Sequence, residues 1–178
     1  MKKQDIITLS LILLALVAVR VFFDIPNFNP LGAVALMGGL LFGKKMIGYI
    51  FPIGALLLGD VILGLTSPIY SEYLLSSSFI FVYAAFALIV LIGMQLADKP
   101  SLKTVIGGSF TAAILFFLVS NAGSWLYLDM YPKTFAGLLG AYEAGVPFFR
   151  NTLVSQLLFS SAIYVVYNLS TSKKISIA

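Results

Sequence analysis

Four ionisable side chains lie within or against long apolar runs of this chain: Arg20, Asp60, Arg150 and, in an interrupted stretch, Glu143. Such groups are costly inside a membrane-spanning segment and by default mark function. A guanidinium at Arg20 or Arg150 suits a carboxylate or phosphate, which it binds through paired hydrogen bonds. A carboxylate at Asp60 or Glu143 suits an amine or a ring N–H. Amides stand near them: Asn27 and Asn29 alternate with Pro26 and Pro30, Asn121 sits four residues before Trp125, and Asn151 follows Arg150. Trp125 could stack on a flat ligand or belong to an interfacial aromatic belt with Tyr70, Tyr127 and Tyr131. The candidate ligand-binding set is therefore Arg20, Asn27, Asn29, Asp60, Asn121, Trp125, Glu143, Arg150 and Asn151.

Each of these residues also has a purely structural use. Arg20 with Asp60, and Arg150 with Glu143, could be ion pairs that lock helices, and Arg20 could snorkel to a membrane surface. Asn29 could cap a helix that has Pro30 as its first residue. The chain has no Cys and no His. That removes thiol nucleophiles, imidazole bases and the usual zinc or haem ligands. An intramembrane enzyme would need carboxylate, Ser/Lys or metal–carboxylate chemistry, with Asp60 and Glu143 as the best candidates for a dyad. No catalytic residue, metal ligand or cofactor is assigned, and the expectation is a non-enzyme.

The elements that must position these groups follow from composition. Of the 178 residues, 60% are hydrophobic and only 10% charged; mean hydropathy is +1.03. A soluble domain of this size needs more polar surface, so the expectation is an all-α integral membrane protein forming one transmembrane domain over residues 1–178. A span takes about 20 mostly apolar residues. Six stretches qualify: Ile6–Phe23, Leu31–Phe42, Met46–Leu65, Leu74–Leu96, Thr104–Leu128 and Asn151–Leu169. The second is short. Met1-Lys-Lys before an apolar run imitates a signal peptide, but no small-residue cleavage site precedes Arg20, so a retained first helix is expected. Residues 131–149 are too interrupted to span, and read as a short extra helix closed by Pro147 on the outer face.

Charge placement orients the chain. With the N-terminus in the cytoplasm, Lys2, Lys3, Lys44, Lys45, Lys99, Lys103, Lys173 and Lys174 all fall inside. The outer connections then hold Asp24, Glu72, Asp129, Glu143 and one basic residue, Lys133, with Arg150 at the edge of the last span. This positive-inside pattern expects six transmembrane helices with both termini cytoplasmic, and it sets aside nucleic acid as the reason for a net charge of +4. Arg20 then lies about 6 Å below the outer end of its span, at 1.5 Å per residue. Asp60, Asn121, Trp125 and Arg150 also fall toward the outer ends. Polar groups at one depth suit a pocket open to the outside and closed below by apolar packing, whereas a channel needs them at several depths.

Several segments carry a resemblance. Pro26-Asn-Phe-Asn-Pro-Leu-Gly-Ala-Val-Ala-Leu-Met-Gly-Gly39, Leu56-Leu-Leu-Gly-Asp-Val61, Phe117-Leu-Val-Ser-Asn-Ala-Gly-Ser-Trp125 and the run from Tyr131 to Thr152 resemble an uncharacterised family of small bacterial inner-membrane proteins. The six-helix layout of that family is in turn similar to the S-components of energy-coupling-factor (ECF) transporters. Those proteins bind vitamins or metal ions in an outward pocket, then join a transmembrane coupling subunit and two ATPases. The resemblance implies a substrate-binding subunit for uptake of a small polar or vitamin-like molecule, with the candidate set above as its polar lining. Metal-carrying members lean on histidine, which this chain lacks. The other class kept open is a non-transporting structural or assembly protein whose polar residues only pair helices.

Overall fold

The computed structural model describes residues 25–74 and 76–170, together with residues 7, 11, 14, 15 and 18–20 of the N-terminal stretch. The elements formed by the described residues are all helices: α1 Leu31–Phe42, α2 Ile47–Thr66, α3 Pro68–Leu74, α4 Phe79–Leu96, α5 Leu102–Tyr127 and α6 Phe135–Ser170. Four of them, α2, α4, α5 and α6, are long and apolar enough to cross a membrane, as in a multi-pass membrane protein. The expected first span, Ile6–Phe23, lies outside the described residues apart from the positions just given, which have helical backbone.

The short helix α1 is the hub. It packs against α2, α4, α5 and α6, and nearly every residue from Leu31 to Phe42 is buried. Its 12 residues rise only about 18 Å, well short of a bilayer's hydrocarbon core. Small residues let its neighbours approach closely, as helix contacts in lipid require. A Cβ on Gly39 would lie 2.2 Å from the Val90 carbonyl oxygen of α4, and one on Gly93 of α4 would lie 2.1 Å from the Leu36 oxygen. The two backbones therefore touch. Gly38 meets the ring of Pro52 in α2 in the same way, and Gly108 of α5 meets Leu96 and Leu36. The core runs through Leu36, Met37, Ile89, Val90, Val105 and Ile163. Large apolar side chains such as Leu57, Ile80, Phe110 and Leu158 face outward, where lipid would receive them.

The turn before α1 is shaped by its prolines and asparagines. Asn27 adopts a left-handed conformation, φ 56°, which Asn tolerates better than most residues. The Phe28 N–H donates to the Ile25 oxygen at 3.0 Å. Asn29 Oδ1 accepts the Leu31 N–H at 3.1 Å, so the amide does satisfy a free donor at the helix start, with Pro30 as the residue flanking α1. At the other end of the bundle, Ser101 and Thr104 form a reciprocal capping box that begins α5. Lys44, Lys45, Lys99 and Lys103 are all exposed at that end.

Two expectations about elements are corrected. Residues 135–170 form one helix of 36 residues with Pro147 inside it, not a short outer helix followed by a separate span. Proline removes one backbone hydrogen bond, and side-chain packing on α5 holds the helix through it. Gly145 seats against Asn121, the Tyr142 hydroxyl donates to the Leu118 oxygen at 3.1 Å, and Phe117 packs on the rings of both Tyr142 and Phe149. The expected Leu74–Leu96 span begins at Phe79 instead, because the short α3 and the serines at 76–78 precede it.

Candidate functional site

Asp60 is 2% exposed and lies six residues before the end of α2. A buried carboxylate requires partners. It forms an ion pair with Arg20, accepts a hydrogen bond from the Tyr83 hydroxyl of α4 at 2.8 Å, and accepts a longer one from the Tyr70 hydroxyl of α3 at 3.3 Å. Arg20 Nη2 also donates to the Tyr70 oxygen. The Nη1 atom faces Asp60 as a charge without the alignment of a hydrogen bond. The N-terminal segment, α2, α3 and α4 are thus tied at one cluster.

This cluster forms one wall of a hollow of about 430 Å³, which Asn27, Asn29, Phe79, Phe86 and Phe116 also line. A second hollow of about 190 Å³ is lined by Asn27, Ser78, Phe116, Ser120, Asn121, Ser124, Phe149 and Thr152. A third, about 30 Å³, is bounded by Asn27, Asn29, Gly32, Phe86, Phe116, Thr152, Ser155 and Gln156. Asn27 and Phe116 belong to all three, so the hollows adjoin around the turn that precedes α1. They occupy the end of the bundle where α1 and α4 begin and α2 and α5 finish. The opposite end is closed by apolar packing and by the Tyr164 hydroxyl, which donates to the Pro100 oxygen at 3.3 Å.

Five of the nine candidate residues line these spaces: Arg20, Asn27, Asn29, Asp60 and Asn121. Asn121 Nδ2 donates to the Phe117 oxygen of its own helix at 2.8 Å. Asn151 supports the site from outside, because its Nδ2 donates to the Pro26 oxygen at 3.0 Å and pins the asparagine turn to α6. Trp125 turns to the α5–α6 connection, where Nε1 donates to the Pro132 oxygen at 2.9 Å. Lys133 caps the end of α5 by donating to the Trp125 and Leu128 oxygens at 2.6 and 2.8 Å. Glu143 and Arg150 are exposed on α6, seven residues apart. Arg20–Asp60 is the ion pair found among the described residues, so the Arg150–Glu143 pair that was open from the sequence does not form.

Gln156, Thr152 and Ser155, which the sequence analysis did not single out, share one face of α6 at the spacing of adjacent helical turns. Their polarity within an otherwise apolar stretch was the available signal. Tyr70 and Tyr83 carried no such signal, since a tyrosine near a span end ordinarily belongs to the aromatic belt.

With the geometry described, comparison with known proteins adds a family but no activity. The chain belongs to a family of unknown function, DUF6580, whose pattern covers residues 1–177. Comparison with curated proteins and with solved structures gives no match.

Proposed function

We propose that this protein is a membrane-embedded substrate-binding subunit, similar in plan to an S-component of an ECF transporter. It would take up a small polar or vitamin-like molecule through the hollows around Asn27. The carrying observation is that three adjoining hollows, the largest about 430 Å³, gather at one end of the bundle with aromatic walls and a few polar groups. That combination of size and lining is typical of small-molecule sites. The charge pattern of the sequence supports six spans in a bacterial inner membrane, with both termini cytoplasmic and the hollows facing outward. A transmembrane coupling subunit with ATPases is the partner this plan implies.

Thermal unfolding of the purified protein against a panel of vitamins and small polar metabolites tests the proposal. A compound at about 100 times its Kd would add about 2.7 kcal/mol of stability. At least one compound is expected to raise the midpoint, and Asn27→Gly is expected to abolish that rise. No shift with any compound would count against the proposal.

A structural role is the second reading, and one observation favours it: Asp60 is already satisfied by Arg20, Tyr70 and Tyr83 without a ligand. Replacing Arg20 and Asp60 together by apolar residues separates the two. A folded double variant that keeps ligand-dependent stabilisation, or a wild type that shows none, supports helix locking, and stabilisation lost from a folded variant supports binding.

A further inference from the structure

The hollow of about 190 Å³ is walled by stripes of two helices. Phe116, Ser120 and Ser124 recur every four residues and so share one face of α5. Asn121 lies beside them, and Gly145 and Thr152 close the space from α6. Ser120, Asn121, Ser124 and Thr152 are each only partly buried, and the surface that this wall exposes is polar as much as apolar.

The protons of this wall are already committed. Ser120 Oγ donates to the Phe116 oxygen at 2.6 Å, Ser124 Oγ to the Ser120 oxygen at 3.2 Å, and Thr152 Oγ1 to the Phe148 oxygen at 3.2 Å. Each partner is a backbone carbonyl, which cannot donate, so the direction of these bonds is fixed. The hydroxyl oxygens keep lone pairs with which to accept. Asn121 spends one N–H on the Phe117 oxygen at 2.8 Å, and its Oδ1 lies against Gly145. The Ser78 hydroxyl is bonded to that of Ser76 at 2.7 Å. Asn27 and the second Asn121 N–H supply the donors that remain, so acceptors predominate. Among the described residues no Lys or Arg lines this hollow: Arg20 is paired with Asp60, and Arg150 is exposed on α6.

An anion entering such a space gives up its water and finds few donors, whereas a cation bearing N–H groups finds oxygens to receive them. The rings of Phe116, Phe117, Phe148 and Phe149 line the same space, and an aromatic face attracts a cation. We infer that this hollow receives the ammonium group of a small organic cation, whose N–H groups donate to the hydroxyl oxygens of α5 and α6. The inference rests on the hollows being a ligand site, and it names the charge of that ligand. It departs from the carboxylate or phosphate that the two arginines suit.

Saturation-transfer NMR on the purified protein in an uncharged detergent at neutral pH tests it, with protein-free micelles as the blank. Phenethylamine, phenethyl alcohol and 3-phenylpropionate serve as cationic, neutral and anionic probes of similar shape. Wild type is expected to bind the amine about tenfold more tightly than the alcohol, a difference of about 1.4 kcal/mol, and the carboxylate more weakly than either. Ser120→Ala with Ser124→Ala removes two acceptors, leaves the backbone of α5 intact, and is expected to remove most of the amine's advantage. Alcohol or carboxylate binding as tight as that of the amine overturns the inference. An advantage undiminished in the folded double variant overturns it as well. If wild type binds none of the three, the vitamin and metabolite panel decides. Stabilisation by a cationic compound supports the inference, and stabilisation by neutral or anionic compounds alone overturns it while keeping the ligand site. Stabilisation by no compound overturns the ligand site itself. The wild-type ranking decides the matter even if the double variant fails to fold.

Discussion

Asn27 does two things at once, and they separate by substitution. Its backbone sits at φ 56°, and its side chain borders all three hollows. Left-handed backbone costs most residues about 1–2 kcal/mol, a cost that Gly escapes and that Asn offsets by local hydrogen bonding of its side chain, whereas Ala has no such offset. Asn27→Ala is therefore expected to lower stability by about that amount, whereas Asn27→Gly leaves stability near wild type, and both lose ligand-dependent stabilisation. Denaturant unfolding in detergent, with and without ligand, reads both effects. Asp60 gives a second contrast. Asp60→Leu alone strands the Arg20 charge and is expected to cost about 3–5 kcal/mol, while Arg20→Met with Asp60→Leu returns close to wild-type stability. At this scale the sequence offered the pairing of Arg20 with Asp60 as one of several uses for the two charges, because opposite charges in apolar runs have few other partners, and the structure forms it. It did not show Glu143 and Arg150 turning outward, since seven residues on one helix leave them two turns apart. Gln156 escaped notice because a neutral amide in a span looks like an ordinary packing residue until its neighbours are known.

Between elements, glycines decide how near the helices come. Gly93 faces the Leu36 carbonyl oxygen, so its Cβ would lie 2.1 Å from a backbone atom that cannot swing aside. Gly93→Ala is expected to cost about 1–3 kcal/mol through overpacking. Gly107, one turn from the start of α5, has nothing within 4 Å of an added Cβ, so Gly107→Ala is expected to raise stability by about 0.5–1 kcal/mol by relieving the flexibility of a helical glycine. Unfolding midpoints of the two variants check both signs. The bounds of α1, and those of α2 and α5 to within two residues, were readable from apolar length alone. Pro147 misled because a proline announces a break only locally. Whether the helix resumes depends on what holds its flanks, and here Tyr142, Gly145 and Phe149 hold them from α5. The short α3 was hidden within a polar connection whose seven residues carry no helical period of their own.

For the whole molecule, the hollows lie at the opposite end of the bundle from the exposed Lys44, Lys45, Lys99 and Lys103, so orientation and function are one question. The chain has no native cysteine, which makes single-cysteine variants clean reporters of sidedness. Lys133→Cys is expected to react with a membrane-impermeant maleimide on intact cells, and Lys45→Cys and Lys99→Cys only after permeabilisation. Reversal of that pattern would turn the hollows toward the cytoplasm. Ser124 borders the 190 Å³ hollow, and a thiol there differs little in size from the native hydroxyl. The decisive measurement is the modification rate of Ser124→Cys by an impermeant maleimide added outside intact cells, with and without the compound that most stabilises the purified protein. An outward-open binding cavity requires modification from outside that the compound slows. A cysteine that reacts only after permeabilisation, or at a rate the compound leaves unchanged, would contradict it.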